Sequence, residues 1–281
     1  MQIFLCGLYR SGTTVTWRTI AQDKRLQSFD EPFNEFLAKL PASHPAKFGE
    51  EYLQRFQENE AEFKSKFCPI LPQRDLKRNL SPAEKEYLSW LVKPHPAVNI
   101  DFTRCTFKLT DLRQLFPDAL IIHLRRLPQA FASSHIKPSF KAPGIKGVAG
   151  RWYREKTFFS RKSRYNFYNY EKIIEEYEPE QFAYLLPQLK DYQGQKLQNL
   201  PAYVKMLLLH RHNQNMVDEF SKVHPKNFLE WQFEEFASHP KKHLKQIYDH
   251  FNQTMPNFKL DNLRSPNLGY LPDSKKWDVF S

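Results

Sequence analysis

Gln2-Ile3-Phe4-Leu5-Cys6-Gly7-Leu8-Tyr9-Arg10-Ser11-Gly12-Thr13-Thr14 opens the chain, and its reading decides the fold. The apolar run Gln2–Cys6 stops at Gly7, the pattern of a short strand buried on both faces of a parallel sheet. Gly7–Thr14 reads as a tight loop and Thr13–Gln22 as the helix it enters. Such a loop points backbone N–H groups at one spot, where the helix dipole adds positive potential. Gly12 has no Cβ to obstruct a close oxyanion. Ser11, Thr13 and Thr14 add hydroxyl donors, and Arg10 adds a fixed charge with bidentate geometry. The stretch therefore predicts a site for a phosphate- or sulfate-bearing ligand; the competing reading is an ordinary strand–turn–helix with hydroxyl caps. Gly7 and Gly12 have the spacing of the nucleotide-triphosphatase pattern G-x-x-x-x-G-K-[ST], but Thr13 stands where its lysine belongs. The loop suits an anion without suiting Mg-ATP.

Outward from this stretch, strands and helices alternate. Leu26–Phe29 reads as a second strand, ending at Asp30-Glu31-Pro32. Phe33–Leu53 reads as helical pieces broken by Pro41 and Pro45, and Glu50–Lys66 as a charged helix with Tyr52, Leu53, Phe56 and Phe63 on one face. Ser81-Pro82-Ala83-Glu84 is an N-cap with proline at the first helical position, opening a helix to about Leu91. Cys105–Leu109 is a third strand candidate, followed by a short helix Asp111–Phe116. Ala119–Leu124 is the clearest buried strand, and Pro128–His135 starts another helix. Ala202–Val223, Asn227–Gln232 and Phe236–Phe251 read as helix, strand and helix. This order fits right-handed β-α-β crossovers. The expected fold is α/β, an open and mainly parallel sheet flanked by helices, as one domain over 1–281 with two helical or irregular insertions at about 33–104 and 137–200. Ligands of such sheets sit beyond the C-terminal ends of the strands.

A second constellation lies at Arg125-Arg126-Leu127-Pro128 with Ser134. A buried strand delivers two arginines at its end, and the next helix carries Ser134 on its second turn, so Arg126 and Ser134 suit a second phosphate. The competing reading is that the arginines cap a neighbouring helix and Ser134 packs.

With both constellations in this order, the sequence resembles the sulfotransferases that use 3′-phosphoadenosine 5′-phosphosulfate. Arg10-Ser11-Gly12-Thr13-Thr14 matches their [KR]-S-G-T-T motif, and Arg126-Leu127-Pro128 to Ser134, behind Phe116-Pro117-Asp118-Ala119, matches R-x-P-x₅-S. The resemblance implies a P-loop-type fold related to nucleotide kinases. It implies that residues 9–14, Tyr9 included, hold the 5′-phosphosulfate and that Arg126 and Ser134 hold the 3′-phosphate. Weaker similarities are Asp30-Glu31-Pro32-Phe33, Lys108 as the lysine of the third strand, and Trp231–Phe236 with Pro240. They extend the match over about 1–35, 105–136 and 225–251 and favour carbohydrate or bacterial members over phenol and steroid enzymes. Departures are Val15 where those enzymes have an aromatic, the absent K-T-H-L-P segment, and an unclear final motif for which Arg264, Lys275 or Lys276 are candidates.

The reading that follows is transfer of a sulfuryl group from that donor to a hydroxyl of a carbohydrate or bacterial metabolite, with no metal required. Arg10 balances the leaving phosphate and Lys108 assists. Glu31 is the favoured base, against a structural ion pair or helix cap; Glu35 and His95 are reserves. His123 reads as a core histidine, and His135 as packing near the nucleotide. Trp90, Trp152, Tyr153 and Tyr165 suit a sugar face or a core. The alternatives are a P-loop-type nucleotide kinase and a non-catalytic binder of anionic glycans. The formal charge of +11 attracts anions, but no zinc-finger spacing or RNA-binding signature points to nucleic acid. Three cysteines, Cys6, Cys68 and Cys105, read as reduced thiols. No apolar stretch reaches the roughly 20 residues that span a bilayer, and the expected location is cytoplasmic.

Overall fold

The computed structural model describes residues 1–40, 50–135, 152, 156, 159–160, 170–261, 263 and 278–280. The chain divides into two compact units, Met1–Arg125 with Val217–Pro266, and Arg126–Met216 with Asn267–Ser281. The first unit holds a five-stranded sheet of β1 (Gln2–Cys6), β2 (Gln27–Asp30), β3 (Val98–Phe102), β4 (Leu120–Arg125) and β5 (Phe228–Gln232). Its order is β2-β3-β1-β4-β5 and every pairing is parallel. This is the sheet expected of a P-loop-like α/β fold.

Side chains alternate between the faces of each strand, and the two faces have separate cores. Phe4, Phe29, Ile100 and Ile121 pack into one with Tyr87, Leu88 and Phe116. Ile3, Leu5, Ile122 and Leu124 pack into the other with Trp17, Ile20, Leu244 and Ile247. Each fully buried side chain of this size contributes about 1.5–3 kcal/mol by leaving water. The second face carries α1 (Thr13–Ile20), which follows β1 as expected.

Several expected elements shift. The charged segment after Glu50 forms two helices, α2 (Glu50–Glu58) and α3 (Glu60–Lys66), because Asn59 caps a new start with its side chain on the Glu62 N–H. The cap at Ser81 opens α4 (Pro82–Val92) and is a full capping box with Glu84. The third strand is not Cys105–Leu109: β3 lies earlier, and Thr103–Cys105 is a 3₁₀ turn leading to α5 (Leu109–Leu115). The first insertion therefore ends before Val98 rather than at 104. The segment after β5 is two helices, α9 (Phe233–Ser238) and α10 (Pro240–His250), split where Pro240 removes a backbone N–H.

The second unit contains α6 (Pro128–Ser134), α7 (Tyr170–Glu176) and the long α8 (Ala202–Val223), whose residues from Val217 belong to the first unit. Phe182, Leu185 and Leu189 are buried there, as are Val204, Leu208 and Leu209 of α8, and Lys205 is wholly buried and paired with Glu175. Much of the insertion at 137–200, including Tyr153 and Tyr165, lies outside the described residues, as do Arg264, Lys275 and Lys276. Among the described residues no helix is long and apolar enough to cross a membrane.

Candidate active site

The loop between β1 and α1 is shaped by two glycines. A Cβ on Gly7 would stand 2.8 Å from the Leu124 carbonyl and 2.9 Å from Thr13 Cγ2. Gly12 has φ +94° and caps α1, and a Cβ there would lie 2.3 Å from the Phe233 ring. The space freed at Gly12 is therefore taken up by Phe233. The Ser11 N–H donates to the Leu8 carbonyl at 3.0 Å, closing the turn. No side chain caps α1, so helix geometry leaves its first-turn N–H groups for water or an anion. An anion there gains about 0.3–2 kcal/mol from the dipole. Arg10 is exposed at the mouth of the loop, Ser11 and Thr13 are buried, and Thr14 is half-buried.

Glu31 stands just past β2, buried at 7% exposure. Its Oε2 accepts from the Tyr9 hydroxyl and from Asn34 Nδ2, both at 3.2 Å. Tyr9 thus ties the anion loop to the carboxyl. Burial pushes the Glu31 carboxyl above the usual range, and Arg104, Thr103, Tyr9 and Asn34 pull part of the way back. Arg104, 6% exposed, places its guanidinium 5.9 Å from the Tyr9 ring centre and donates to the Ile70 carbonyl at 2.9 Å. Among the described residues only three non-glycines have positive φ: Arg10 (71°), Glu31 (46°) and Asn252 (50°). Two of them are the residues singled out for chemistry, and strain of about 1–3 kcal/mol at such positions persists only where the surroundings enforce it.

A scan of family models matches residues 2–182 to the one described as the sulfotransferase family. The chain belongs to the sulfotransferase family. The sulfotransferase domain of the Synechococcus PCC 7002 olefin synthase is 14% identical, with TM-score 0.46 over 95% of this chain and 81% of that one. A sulfotransferase from Alicyclobacillus acidocaldarius is 17% identical, with TM-score 0.45 over 95% and 87%. The sulfotransferase domain of the curacin biosynthetic pathway is 16% identical, with TM-score 0.45 over 98% and 88%. No curated protein matches the chain.

Other residues of this sulfotransferase fall in different places. Lys108 is not on a strand: it caps the start of α5, wholly buried, and its ammonium donates to the carbonyls of Arg74, Asp75 and Arg104 at 2.9, 3.0 and 3.3 Å. Three donors given to three carbonyls make it a structural tie, and its expected place on the third strand is corrected. Glu35 is exposed in the turn that Asn34 caps. His95 precedes β3, at the opposite strand end from Glu31, and its Nε2 lies 3.0 Å from Arg55. His123 is a core histidine with Nε2 3.3 Å from the Thr106 hydroxyl. Trp90 belongs to an aromatic cluster with Phe63 and Tyr87, under the Arg55 guanidinium, and its N–H donates to Glu62. Trp152 is 61% exposed. In the second unit the Arg126 carbonyl lies 2.8 Å from His210 Nε2, and the Ser134 hydroxyl donates to the Phe131 carbonyl at 2.7 Å. His135 is packed between the rings of Phe131 and Tyr170. Arg125 pairs with Glu230 at 3.5 Å rather than capping a helix.

The sequence reading missed Arg104, Asn34 and Asp101, and gave Asp30 no role of its own. Asp30 and Asp101 are buried and face each other in the β2–β3 register. A period-two signal was present in Val98-Asn99-Ile100-Asp101-Phe102, but it describes a half-exposed strand, whereas all five residues are buried. The polar face is covered by α1: Asn99 Nδ2 donates to the Trp17 carbonyl and Trp17 Nε1 to the Asn99 carbonyl, each at 3.2 Å.

Proposed function

We propose that the chain moves a sulfuryl group from 3′-phosphoadenosine 5′-phosphosulfate to a hydroxyl of a carbohydrate or a bacterial metabolite. The observation that carries this reading is the buried Glu31 carboxyl tied through Tyr9 to an uncapped helix N-terminus. In this reading Glu31 is a proton acceptor beside an anion cradle.

The donor set fits a phosphosulfate: first-turn N–H groups, the Ser11, Thr13 and Thr14 hydroxyls, and the Arg10 guanidinium are all donors. Bound there, the donor supplies an activated sulfuryl group whose leaving group is a phosphate. Glu31 accepts the proton of the attacking acceptor hydroxyl. A carboxylate raised by burial is a stronger base than an exposed one, which suits it to this task. Tyr9 and Asn34 hold the carboxyl in place during the transfer. Arg10 and the α1 dipole balance the charge that develops on the phosphate oxygen as the sulfur–oxygen bond to it breaks and the bond to the acceptor oxygen forms. Arg126 and Ser134 are assigned to the 3′-phosphate on their motif. Ser134 must turn its hydroxyl from the Phe131 carbonyl to give that proton to a ligand. Lys108 has no part, because its protons are already given to the backbone.

The test is transfer activity in Glu31→Gln and Glu31→Ala. Both are expected to bind adenosine 3′,5′-bisphosphate as the native chain does and to lose transfer by about 10²–10⁴, the range of a general base. A near-native rate removes Glu31 from the role. Turnover of Mg-ATP with no binding of the bisphosphate would instead make the chain a kinase.

A further inference from the structure

The turn between β4 and α6 carries Arg126, and its backbone is held from outside the turn. β4 ends at Arg125, whose pairing with Gln232 is the last of the β4–β5 ladder. The Leu127 carbonyl already belongs to α6, because it accepts from the Phe131 N–H at 2.8 Å. Arg126 lies between the two. A half-buried carbonyl at such a junction needs a partner from elsewhere. His210 of α8 supplies one, with Nε2 2.8 Å from the Arg126 carbonyl oxygen. A carbonyl can only accept, so His210 Nε2 carries the proton and donates it.

The same imidazole meets this segment a second time. Its ring centre lies 5.5 Å from that of Phe131, which is wholly buried. The Phe131 carbonyl accepts the Ser134 hydroxyl at 2.7 Å, and the Phe131 ring also meets His135 at 4.8 Å. His210 thus touches the backbone at Arg126 and the ring of the residue that holds Ser134. All of these residues belong to the second unit. The contact acts on where the Arg126 side chain starts, not on its charge. An arginine side chain carries about 2 kcal/mol of rotamer entropy, and a turn that was also free would lose backbone entropy on binding. Fixing the turn beforehand removes that second cost.

We propose that His210 is a positioning residue: by donating to the Arg126 carbonyl it fixes the turn from which Arg126 reaches the 3′-phosphate, and so sets the preference for a 3′-phosphorylated nucleotide. This rests on the assignment of Arg126 to the 3′-phosphate under the proposed function. His210 itself touches no ligand in this role. Its loss acts on nucleotides that carry the 3′-phosphate and spares those that lack it.

The test is the ratio of the affinities for adenosine 3′,5′-bisphosphate and adenosine 5′-phosphate in the full chain and in three variants of His210. His210→Ala removes both contacts. His210→Phe keeps a ring against Phe131 but cannot donate, and it carries the test if His210→Ala does not fold. Each should lower the ratio about 2- to 10-fold, the effect of one hydrogen bond, through the bisphosphate alone. Native affinity for adenosine 5′-phosphate shows that the variant is folded. His210→Gln keeps a side-chain N–H donor and should recover most of the ratio. An unchanged ratio in His210→Phe, an equal loss for both ligands, or a His210→Gln no better than His210→Phe overturns the proposal. Arg126→Ala separates this from the reading beneath it. A ratio lowered there but native in the His210 variants overturns only the role of His210. A native ratio in Arg126→Ala overturns the 3′-phosphate assignment, and the role of His210 with it.

Discussion

Glu31 is held by more groups than a surface carboxylate needs. Tyr9, Asn34, Thr103 and Arg104 all act on it, yet burial still keeps its proton affinity high. The rate of transfer should therefore rise with pH as Glu31 loses its proton, with an inflection above the ordinary glutamate value, and a pH–rate profile of kcat/KM reads this directly. An inflection at or below the ordinary value would contradict it. Stability has the opposite slope. A carboxyl whose folded pKa is raised contributes stability that is present below the unfolded value and lost as pH rises through the folded value. Melting temperature should fall with rising pH over that window, and Glu31→Gln should flatten part of the fall. Arg126 gives a separate residue-scale expectation. Arg126→Ala should weaken binding of adenosine 3′,5′-bisphosphate far more than binding of adenosine 5′-phosphate, measured by thermal shift. Equal losses would remove Arg126 from the 3′-phosphate.

The β1–α1 connection depends on a glycine that does two jobs. Gly12→Ala would put a side chain at φ +94° and drive it into the Phe233 ring. It should lower stability by more than the roughly 1 kcal/mol that the left-handed backbone costs a non-glycine residue, and weaken bisphosphate binding along with it. The α4 start is a purely structural counterpart. Burial pushes the Glu84 carboxyl up, but its bonds to Arg74 and to the Ser81 N–H more than offset this, and the net shift is downward. Its stabilisation is present above the unfolded pKa and is lost as pH falls through the folded value. Ser81→Ala should cost about 1 kcal/mol, the usual worth of such a cap, in chemical denaturation, with bisphosphate binding unchanged.

Elements of this kind differ in how far the sequence reveals them. The strand at Gln2–Cys6, the cap at Ser81 and the helix Ala202–Val223 are legible because local signals and tertiary packing agree. β3 is not, because two buried polar residues alternate with its apolar ones, and only the covering helix α1 satisfies them. Misplacing β3 also hid Asp101 and Arg104 and put Lys108 on a strand, whereas it caps the start of α5. The placement of Tyr9–Thr14 in a loop after β1 and of Glu31 just past β2 was legible by contrast, since a glycine-bounded loop and a carboxyl before proline at a strand end are local features. Their link through Tyr9 was not, because it joins residues 22 positions apart.

At the scale of the whole molecule, a formal charge of +11 draws anionic ligands toward the protein, and the family match over residues 2–182 gives that attraction a chemistry. The sheet order places the loop after the central strand β1 and Glu31 after the edge strand β2, with β3 between them carrying Asp101. In the proposed function the C-terminal ends of β1 and β2 supply the anion cradle and the base. The central claim is group transfer driven by that set. It is tested most directly by incubating the chain with ³⁵S-labelled 3′-phosphoadenosine 5′-phosphosulfate and a mixed pool of hydroxyl acceptors. The expected result is label in an acceptor, with matching release of adenosine 3′,5′-bisphosphate, both lost in Glu31→Gln. Binding of the bisphosphate with no label moved to any acceptor would contradict it and leave a binder of anionic ligands.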